Sequence, residues 1–187
     1  MIASQDRSYY IGASDTSYVV GNWETKTFIK WYGTKLGIYS QDFSNQYMYA
    51  GTNYEHRILE ALNIPALEMD RQIIKGRLRV NLDGNTHDTI YEVKTHKFEN
   101  SFKVSKNYRN QVLVEMYAYG FRKAYIVSYG LEEADYINYY RDIDVKRLKL
   151  HQIEYDADFI NNIYLPKFNY LSECLDKGVL PCTNLQK

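Results

Sequence analysis

The sequence predicts an α/β fold with a mixed β-sheet, because stretches of helical and of strand periodicity alternate along the chain. The chain has 187 residues, 45% of them apolar, which is enough to bury a core without disulfides. Helical spacing dominates up to residue 62, strand-like alternation begins after residue 71, and both types recur beyond residue 107. No linker rich in proline, glycine or serine interrupts this order. We expect one domain over residues 1–187.

Three helices are expected in the first third of the chain. A short one lies within Tyr9–Gly21, where Ser14 is suited to cap its N-terminus. Thr25–Leu36 and Asn53–Leu62 each place aromatic and aliphatic side chains on one side at helical spacing, which is typical of amphipathic helices.

A β-hairpin follows. Arg77–Asp83 alternates strictly between apolar and polar residues, and Thr89–Thr95 is rich in β-branched residues. Gly84–Asp88 has the composition of a turn, so the two segments are predicted to pair as antiparallel strands.

The remaining elements are a helix, two strands and a last helix. Helical spacing returns over Asn107–Tyr119, Ala124–Tyr129 has the composition of a buried strand, and Asp135–Ile143 alternates. Asp156–Lys177 is helical in pattern, with an expected interruption at Pro166.

Composition excludes several classes of protein. The two cysteines, Cys174 and Cys182, are too few for a disulfide scaffold or a four-cysteine cluster, and the four histidines lack metal-binding spacing. No apolar run approaches the roughly 18 residues of a membrane span, and the first residues do not resemble a signal peptide. We expect a cytoplasmic protein that binds any metal mainly through oxygen.

The charge is balanced overall but not along the chain. Lysine and arginine total 23, as do aspartate and glutamate, yet residues 61–110 carry 9 basic and 6 acidic residues. Five of these bases lie within residues 94–109, beside a single acid, Glu99. The five are Lys94, Lys97, Lys103, Lys106 and Arg109. They suit a groove for DNA phosphates, although a solvated protein face has the same composition.

The hairpin also brings charged groups together. Glu92 and Lys94 are two residues apart on a strand and share a face, while Asp83 ends the partner strand. Glu55 adds a third carboxylate from the preceding helix. Carboxylates are the ligands that Mg²⁺ prefers, and a lysine beside them can assist an attacking water. The pattern predicts metal-assisted phosphodiester hydrolysis, and the alternative is a solvated hairpin face.

The order of these motifs resembles that of the PD-(D/E)xK nuclease superfamily, most closely the lambda exonuclease or YqaJ-type viral recombinase family. The matching segments are Gly51-x-x-x-Glu55, Leu82-Asp83-Gly84, Glu92-Val93-Lys94 and Tyr108-x-x-Gln111. The opening Ile11-Gly12-Ala13-Ser14-Asp15, with Arg7 before it, is also similar to that family. The chain departs from the pattern in having Leu82 before Asp83, and Glu115 four residues after Gln111.

The resemblance implies a restriction-endonuclease-like core and a role for each matching residue. Glu55, Asp83, Glu92 and the Val93 carbonyl would bind Mg²⁺, for which Mn²⁺ would substitute. Lys94 would assist the nucleophilic water. Gln111 and Tyr108 would hold the scissile nucleotide, and Arg7 and Ser14 would bind a terminal 5′-phosphate. Capping, core packing and a surface position are the alternatives for Ser14, Tyr108 and Arg7, respectively.

The resemblance further implies a 5′-to-3′ exonuclease that acts on duplex DNA ends and leaves 3′ single-stranded overhangs for phage-type recombination. Such enzymes form homotrimeric rings and pass the overhang to a single-strand annealing protein. Two alternatives remain open on the sequence. One is a structure-specific or nicking endonuclease on the same fold, and the other is a catalytically inactive DNA-binding or inhibitory module.

Overall fold

A computed structural model describes residues 8–39 and 46–182, with the side chains of 46–48 excepted. Six strands form one mixed sheet, and helices pack on both of its faces. The strands are β1 Ile11–Gly12, β2 Glu68–Lys75, β3 Leu78–Asn85, β4 Thr89–Lys97, β5 Lys123–Leu131 and β6 Leu148–Glu154. The α-helices are α1 Thr16–Val20, α2 Lys26–Lys35, α3 Gln46–Ala61, α4 Lys106–Tyr119, α5 Glu133–Ile137 and α6 Leu165–Asp176. None of the described helices is long and apolar enough to cross a membrane.

The strands are ordered β1-β3-β4-β5-β6, and β2 pairs with β3. β4 and β5 are parallel, and α4 forms the crossover between them. β1 is parallel to β3, while the β2/β3, β3/β4 and β5/β6 pairs are antiparallel. The predicted mixed sheet is therefore confirmed.

Strand β3 has a gap in its pairing on the side away from β2. On that side β1 pairs with Leu78 and Arg79, and β4 pairs with Gly84 and Asn85. Residues 80–83 face no strand there in the described part of the chain. The sheet is consequently open between β1 and β4.

Apolar packing follows the strand alternation. Leu78, Val80 and Leu82 are buried in one core with α4, as their spacing predicts. Tyr91 and Val93 of β4 pack in a second core with α3. The two cores lie on opposite faces of the sheet because neighbouring residues of a strand point to opposite faces.

Helix α3 packs closely on β3. A Cβ atom at Gly84 would lie 3.1 Å from both methyl carbons of Leu59. Glycine at this position therefore allows the contact. Because Leu59 lies one helical turn after Glu55, the contact also fixes the distance of Glu55 from the strand.

The prediction of a strand over Asp135–Ile143 is wrong. Residues 133–137 form helix α5, and the carboxylate of Asp135 accepts a hydrogen bond from the Glu132 backbone N–H at 2.8 Å, which caps the helix. The sixth strand is Leu148–Glu154 instead. Its edge position and exposed polar residues obscure the alternation.

Two further expectations concern the helices. The α-helical pattern of the last helix is interrupted next to Pro166, as expected, and the proline lies in the first turn of α6. A π-helical segment, Phe159–Tyr164, leads into that turn. Ser14 does not cap α1, since it is exposed within a short 3₁₀ turn and Asp15 occupies the capping position.

A buried ion cluster connects the segment after β5 to the rest of the fold. Asp135 is fully buried and accepts hydrogen bonds from Arg141 at 2.8 Å and Arg147 at 2.7 Å. Arg57 of α3 donates to the backbone oxygens of Tyr139, at 2.6 Å, and Arg141, at 2.7 Å. The cluster therefore orders the loop on which α3 rests.

Replacing Asp135 with alanine should lower the free energy of unfolding by about 3–5 kcal/mol, because it leaves the buried guanidinium group of Arg147 without its carboxylate. Urea denaturation followed by circular dichroism measures the change. Asp142→Ala, at an exposed position in the same loop, is the control and should lie within about 0.5 kcal/mol of the wild type. Equal stability of the two variants would show that the cluster is not structural.

Candidate active site

The site lies where the β3/β4 ladder ends. Beyond the Gly84–Tyr91 pair, the carboxylate of Asp83 accepts a hydrogen bond from the backbone N–H of Val93 at 2.8 Å. A side chain thus replaces the strand carbonyl that would accept this bond in a continuous ladder. The strands separate at this point, and the Asp83 carboxylate is held in the opening.

Glu92 and Lys94 share a face of β4, as predicted. The Lys94 ammonium donates to Glu92 Oε1 at 2.7 Å, and the two side chains are 20% and 4% exposed. Burial alone would lower the pKa of Lys94, but Glu92 outweighs this effect and the pKa is raised. In the metal-free protein Lys94 is therefore protonated and donates a hydrogen bond to Glu92.

Helix α4 contributes a second layer of polar contacts. Gln111 Nε2 donates to Glu92 Oε1 at 2.5 Å and to Glu115 Oε1 at 2.9 Å. The ring of Tyr108, one turn earlier, lies 5.1 Å from the Lys94 ammonium and stacks on Phe102. Tyr108 and Gln111 thus face the same side, as the helical spacing predicts.

Glu55 approaches from the opposite face of the sheet, on α3. Burial, and next the charge of Glu92, raise the pKa of its carboxyl group. Glu55 also lies beside His56 and Asp70, and one ligand atom from each of the three falls within 4.8 Å of the others. The imidazole of His56 is 3.1 Å from the Asp70 carboxylate.

The carboxyl groups repel one another. Burial raises the pKa of Asp83 well above its usual range, and the charges of Glu92 and Glu55 raise it further. Burial and Glu92 have the same effect on Glu115. Glu92 Oε2 is buried without a hydrogen-bond partner in the described chain. Buried, mutually repelling carboxylates with an unused oxygen fit a bound divalent cation.

A pocket of about 190 Å³ adjoins this cluster. Gln111 and Glu115 form one wall, and the turn that follows β1 forms another. Arg79 and Asn81 of β3 line it, and Ser14 lies at its edge. Gln111 belongs to both the pocket and the carboxylate cluster.

The other predicted DNA-binding residues lie around the site or outside the described chain. Lys97, Lys103 and Lys106 are exposed between β4 and the start of α4. Arg109 is half-buried and pairs with Asp156 at 2.9 Å, so its charge is largely offset. Arg7 is outside the described residues.

Sequence reasoning missed Arg79 and assigned no role to Glu115. The position of Glu115 within the apolar run of α4, four residues after Gln111, was an available indication of a buried charge. Arg79 and Asn81 are two residues apart on β3, and both line the pocket. Nothing in the sequence indicated the pocket, because its walls come from distant segments.

The fold is similar to that of solved exonucleases. An alkaline exonuclease, LHK-Exo, from Laribacter hongkongensis matches with a TM-score of 0.67 and 17% identity, covering 91% of this chain and 92% of that one. LHK-Exo in complex with dAMP matches with a TM-score of 0.66, 18% identity and the same coverage, 91% and 92%. A phage-related exonuclease from Haemophilus somnus 129PT matches with a TM-score of 0.62 and 15% identity over 90% and 92% of the two chains.

These matches confirm the fold that the resemblance of motifs predicted. No protein-family model matches the sequence, and no curated protein does. The fold is therefore assigned from structure, and the chemistry must be argued from the residues of this chain.

Replacing Glu115 with glutamine should stabilise the protein in EDTA at alkaline pH. The raised pKa means that the wild type loses stability as pH rises above the ordinary glutamate value of 4.5 and the buried group ionises. A glutamine side chain can still accept the hydrogen bond from Gln111, but it has no ionisable group. The difference in free energy of unfolding between variant and wild type should therefore grow from pH 5 to pH 9.

Urea titrations at several pH values measure this difference. Glu60→Gln is the matched control, because Glu60 is also helical but exposed, and its difference from the wild type should not vary with pH. A difference for Glu115→Gln that is independent of pH would contradict the assigned protonation.

Proposed function

We propose that the protein is a metal-dependent deoxyribonuclease that hydrolyses phosphodiester bonds from the ends of duplex DNA. The observation that carries this proposal is the placement of Glu55, Asp83 and Glu92 close enough for their charges to act on one another, beside Lys94 and in an opening of the sheet. The similarity of the fold to exonucleases supports exonucleolytic rather than internal cleavage.

Mg²⁺ is the proposed cofactor, with Mn²⁺ able to replace it. Glu55, Asp83, Glu92 and the backbone carbonyl of Val93 would bind it, and the unpartnered Oε2 of Glu92 is available for this role. The bound cation would lower the pKa of a water molecule and offset charge at the reacting phosphate.

Lys94 has a separate role in the proposal. From its position beside Glu92, its ammonium would orient the attacking water and donate to the phosphate oxygens as negative charge develops there. Its contact with Glu92 at 2.7 Å fixes the ammonium before substrate arrives. The face of the Tyr108 ring provides a second attractive contact for the Lys94 ammonium.

Gln111 holds the Glu92 carboxylate in one orientation through its amide N–H, and Glu115 fixes the amide in turn. This arrangement reduces the freedom of the proposed metal ligand before binding. Gln111 also lines the neighbouring pocket and so connects it to the carboxylates.

DNA would approach over the basic segment between β4 and α4. Lys97, Lys103 and Lys106 are exposed there and can contact backbone phosphates beside the cleavage point. Ser14, and by resemblance Arg7, would contact the 5′-phosphate. LHK-Exo has been crystallised with dAMP, which supports a mononucleotide product for this chain as well.

The direction of digestion in the proposal is 5′ to 3′, leaving 3′ single-stranded overhangs. By the same resemblance we place the protein in the cytoplasm, in a homotrimer that acts with a single-strand annealing protein. Digestion of duplex labelled separately at each 5′ and 3′ end tests the direction. Cleavage of closed circular DNA would favour the endonuclease alternative.

Replacing Lys94 with methionine should lower the rate of duplex digestion in Mg²⁺ by about 100- to 1,000-fold, because a preorganised donor to the developing charge is lost. Release of labelled mononucleotide from linear duplex measures the rate. Lys123→Met, at an exposed position on β5, is the control and should retain full activity. Full activity of Lys94→Met would show that the assigned site is wrong.

A further inference from the structure

The segment between β4 and α4 is anchored to the fold by an aromatic side chain that has no part in the proposed hydrolysis so far. Phe102 is half-buried and packs against the core that contains α4, while its neighbours Ser101 and Lys103 are exposed. Three rings surround it, with centres 5.3, 6.1 and 5.0 Å from its own, and they belong to His96, Tyr108 and His151, respectively. The ring of Phe102 therefore joins the basic segment to β4, α4 and β6.

A first connection from Phe102 to the active site runs through Tyr108. The two rings are nearly parallel, with an angle of 6° between their planes. The Tyr108 ring also lies with its centre 5.1 Å from the Lys94 ammonium. Ring stacking and cation–π attraction both depend on the orientation of the ring. Phe102 therefore restricts the rotation of the ring that faces Lys94.

A second connection runs through the sheet. Ser128 of β5 is fully buried and lies directly opposite Lys94 of β4 in the parallel pair. The Ser128 hydroxyl is hydrogen-bonded to Nε2 of His151 on β6 at 2.9 Å. Burial lowers the pKa of His151, so its ring is uncharged at neutral pH and suits a contact with the Phe102 ring. The strand beside Lys94 thus holds one wall of the Phe102 seat in place.

We infer that Phe102 is a positioning residue, which holds the Tyr108 ring against Lys94 and so aligns the ammonium for the proposed hydrolysis. This inference rests on the proposed nuclease function and adds to it a residue that acts through Tyr108. Glu92 occupies one of the three N–H donors of Lys94, and the ring face restricts the directions of the others. Because Lys103 follows Phe102 directly, a DNA phosphate bound by Lys103 would be placed relative to the same anchor.

Replacing Phe102 with leucine keeps an apolar side chain in this seat but removes the ring. The rate of mononucleotide release from saturating linear duplex in Mg²⁺ should fall about 10-fold, because the ammonium is no longer aligned. KM should stay near the wild-type value, since the exposed lysines of the segment remain. Phe102→Tyr restores a ring and should restore the rate. Phe98→Leu replaces an exposed aromatic residue of the same segment, and this matched control should keep the wild-type rate.

A double variant distinguishes positioning from a loss of stability. In the Lys94→Met background, Phe102→Leu should lower the remaining rate no further, because it acts through the ammonium that is already absent. Circular dichroism checks that each variant is folded. An equal loss of rate in both backgrounds would overturn the inference, and so would a wild-type rate in folded Phe102→Leu.

Nuclear magnetic resonance of protein labelled with ¹³C-lysine, without DNA or metal, separates the inference from the proposed hydrolysis. The ring current of Tyr108 should shift the Cε protons of Lys94 upfield of those of exposed lysines, and Lys94→Met assigns the signal. Phe102→Leu should reduce this shift, whereas Phe98→Leu should leave it unchanged. A protein with this pattern that digests no DNA would contradict the proposed function and support the contact. A Lys94 signal that is the same in Phe102→Leu as in the wild type would overturn the inference.

Discussion

The hydrogen bond from the Val93 backbone to the Asp83 carboxylate is the interaction on which the site depends. It ends the β3/β4 ladder with a side chain in place of a main-chain carbonyl, and so opens the sheet without leaving the N–H unpaired. Through this opening Glu55, from the α3 face, comes close enough to Glu92 for their charges to interact, while Gln111 reaches Glu92 from the α4 face. In a continuous sheet, the side chains from the α3 face and those from the α4 face would remain apart.

The same arrangement is costly for the metal-free protein. Asp83, which is half-buried, and Glu115, which is fully buried, both interact with the charge of Glu92, and their raised pKa values reflect the cost of their ionisation. Lys94 compensates only in part, because it is a single cation bonded to Glu92. A divalent cation would relieve the remaining repulsion between the carboxylates, and this relief would favour its binding. Stability and proposed activity therefore oppose one another in this crevice, as is common at functional sites.

Much of the site follows from local sequence patterns. Strand alternation predicted the shared face of Glu92 and Lys94, and helical spacing predicted that Tyr108 and Gln111 face together. The pocket at Arg79 could not be foreseen, because it depends on how β1, β3 and α4 meet. The error over Asp135–Ile143 has a similar cause. Its alternating pattern is overridden by buried ion pairs that Asp135 forms with arginines later in the chain.

The central claim is that the carboxylates at the ladder opening bind a divalent cation. Titration calorimetry with Mn²⁺ at pH 7 measures binding without DNA. The account predicts one or more bound cations for the wild type and loss of binding in Asp83→Asn, because Asp83 is one of the proposed ligands. Absence of binding, or equal binding by Asp83→Asn, would contradict it.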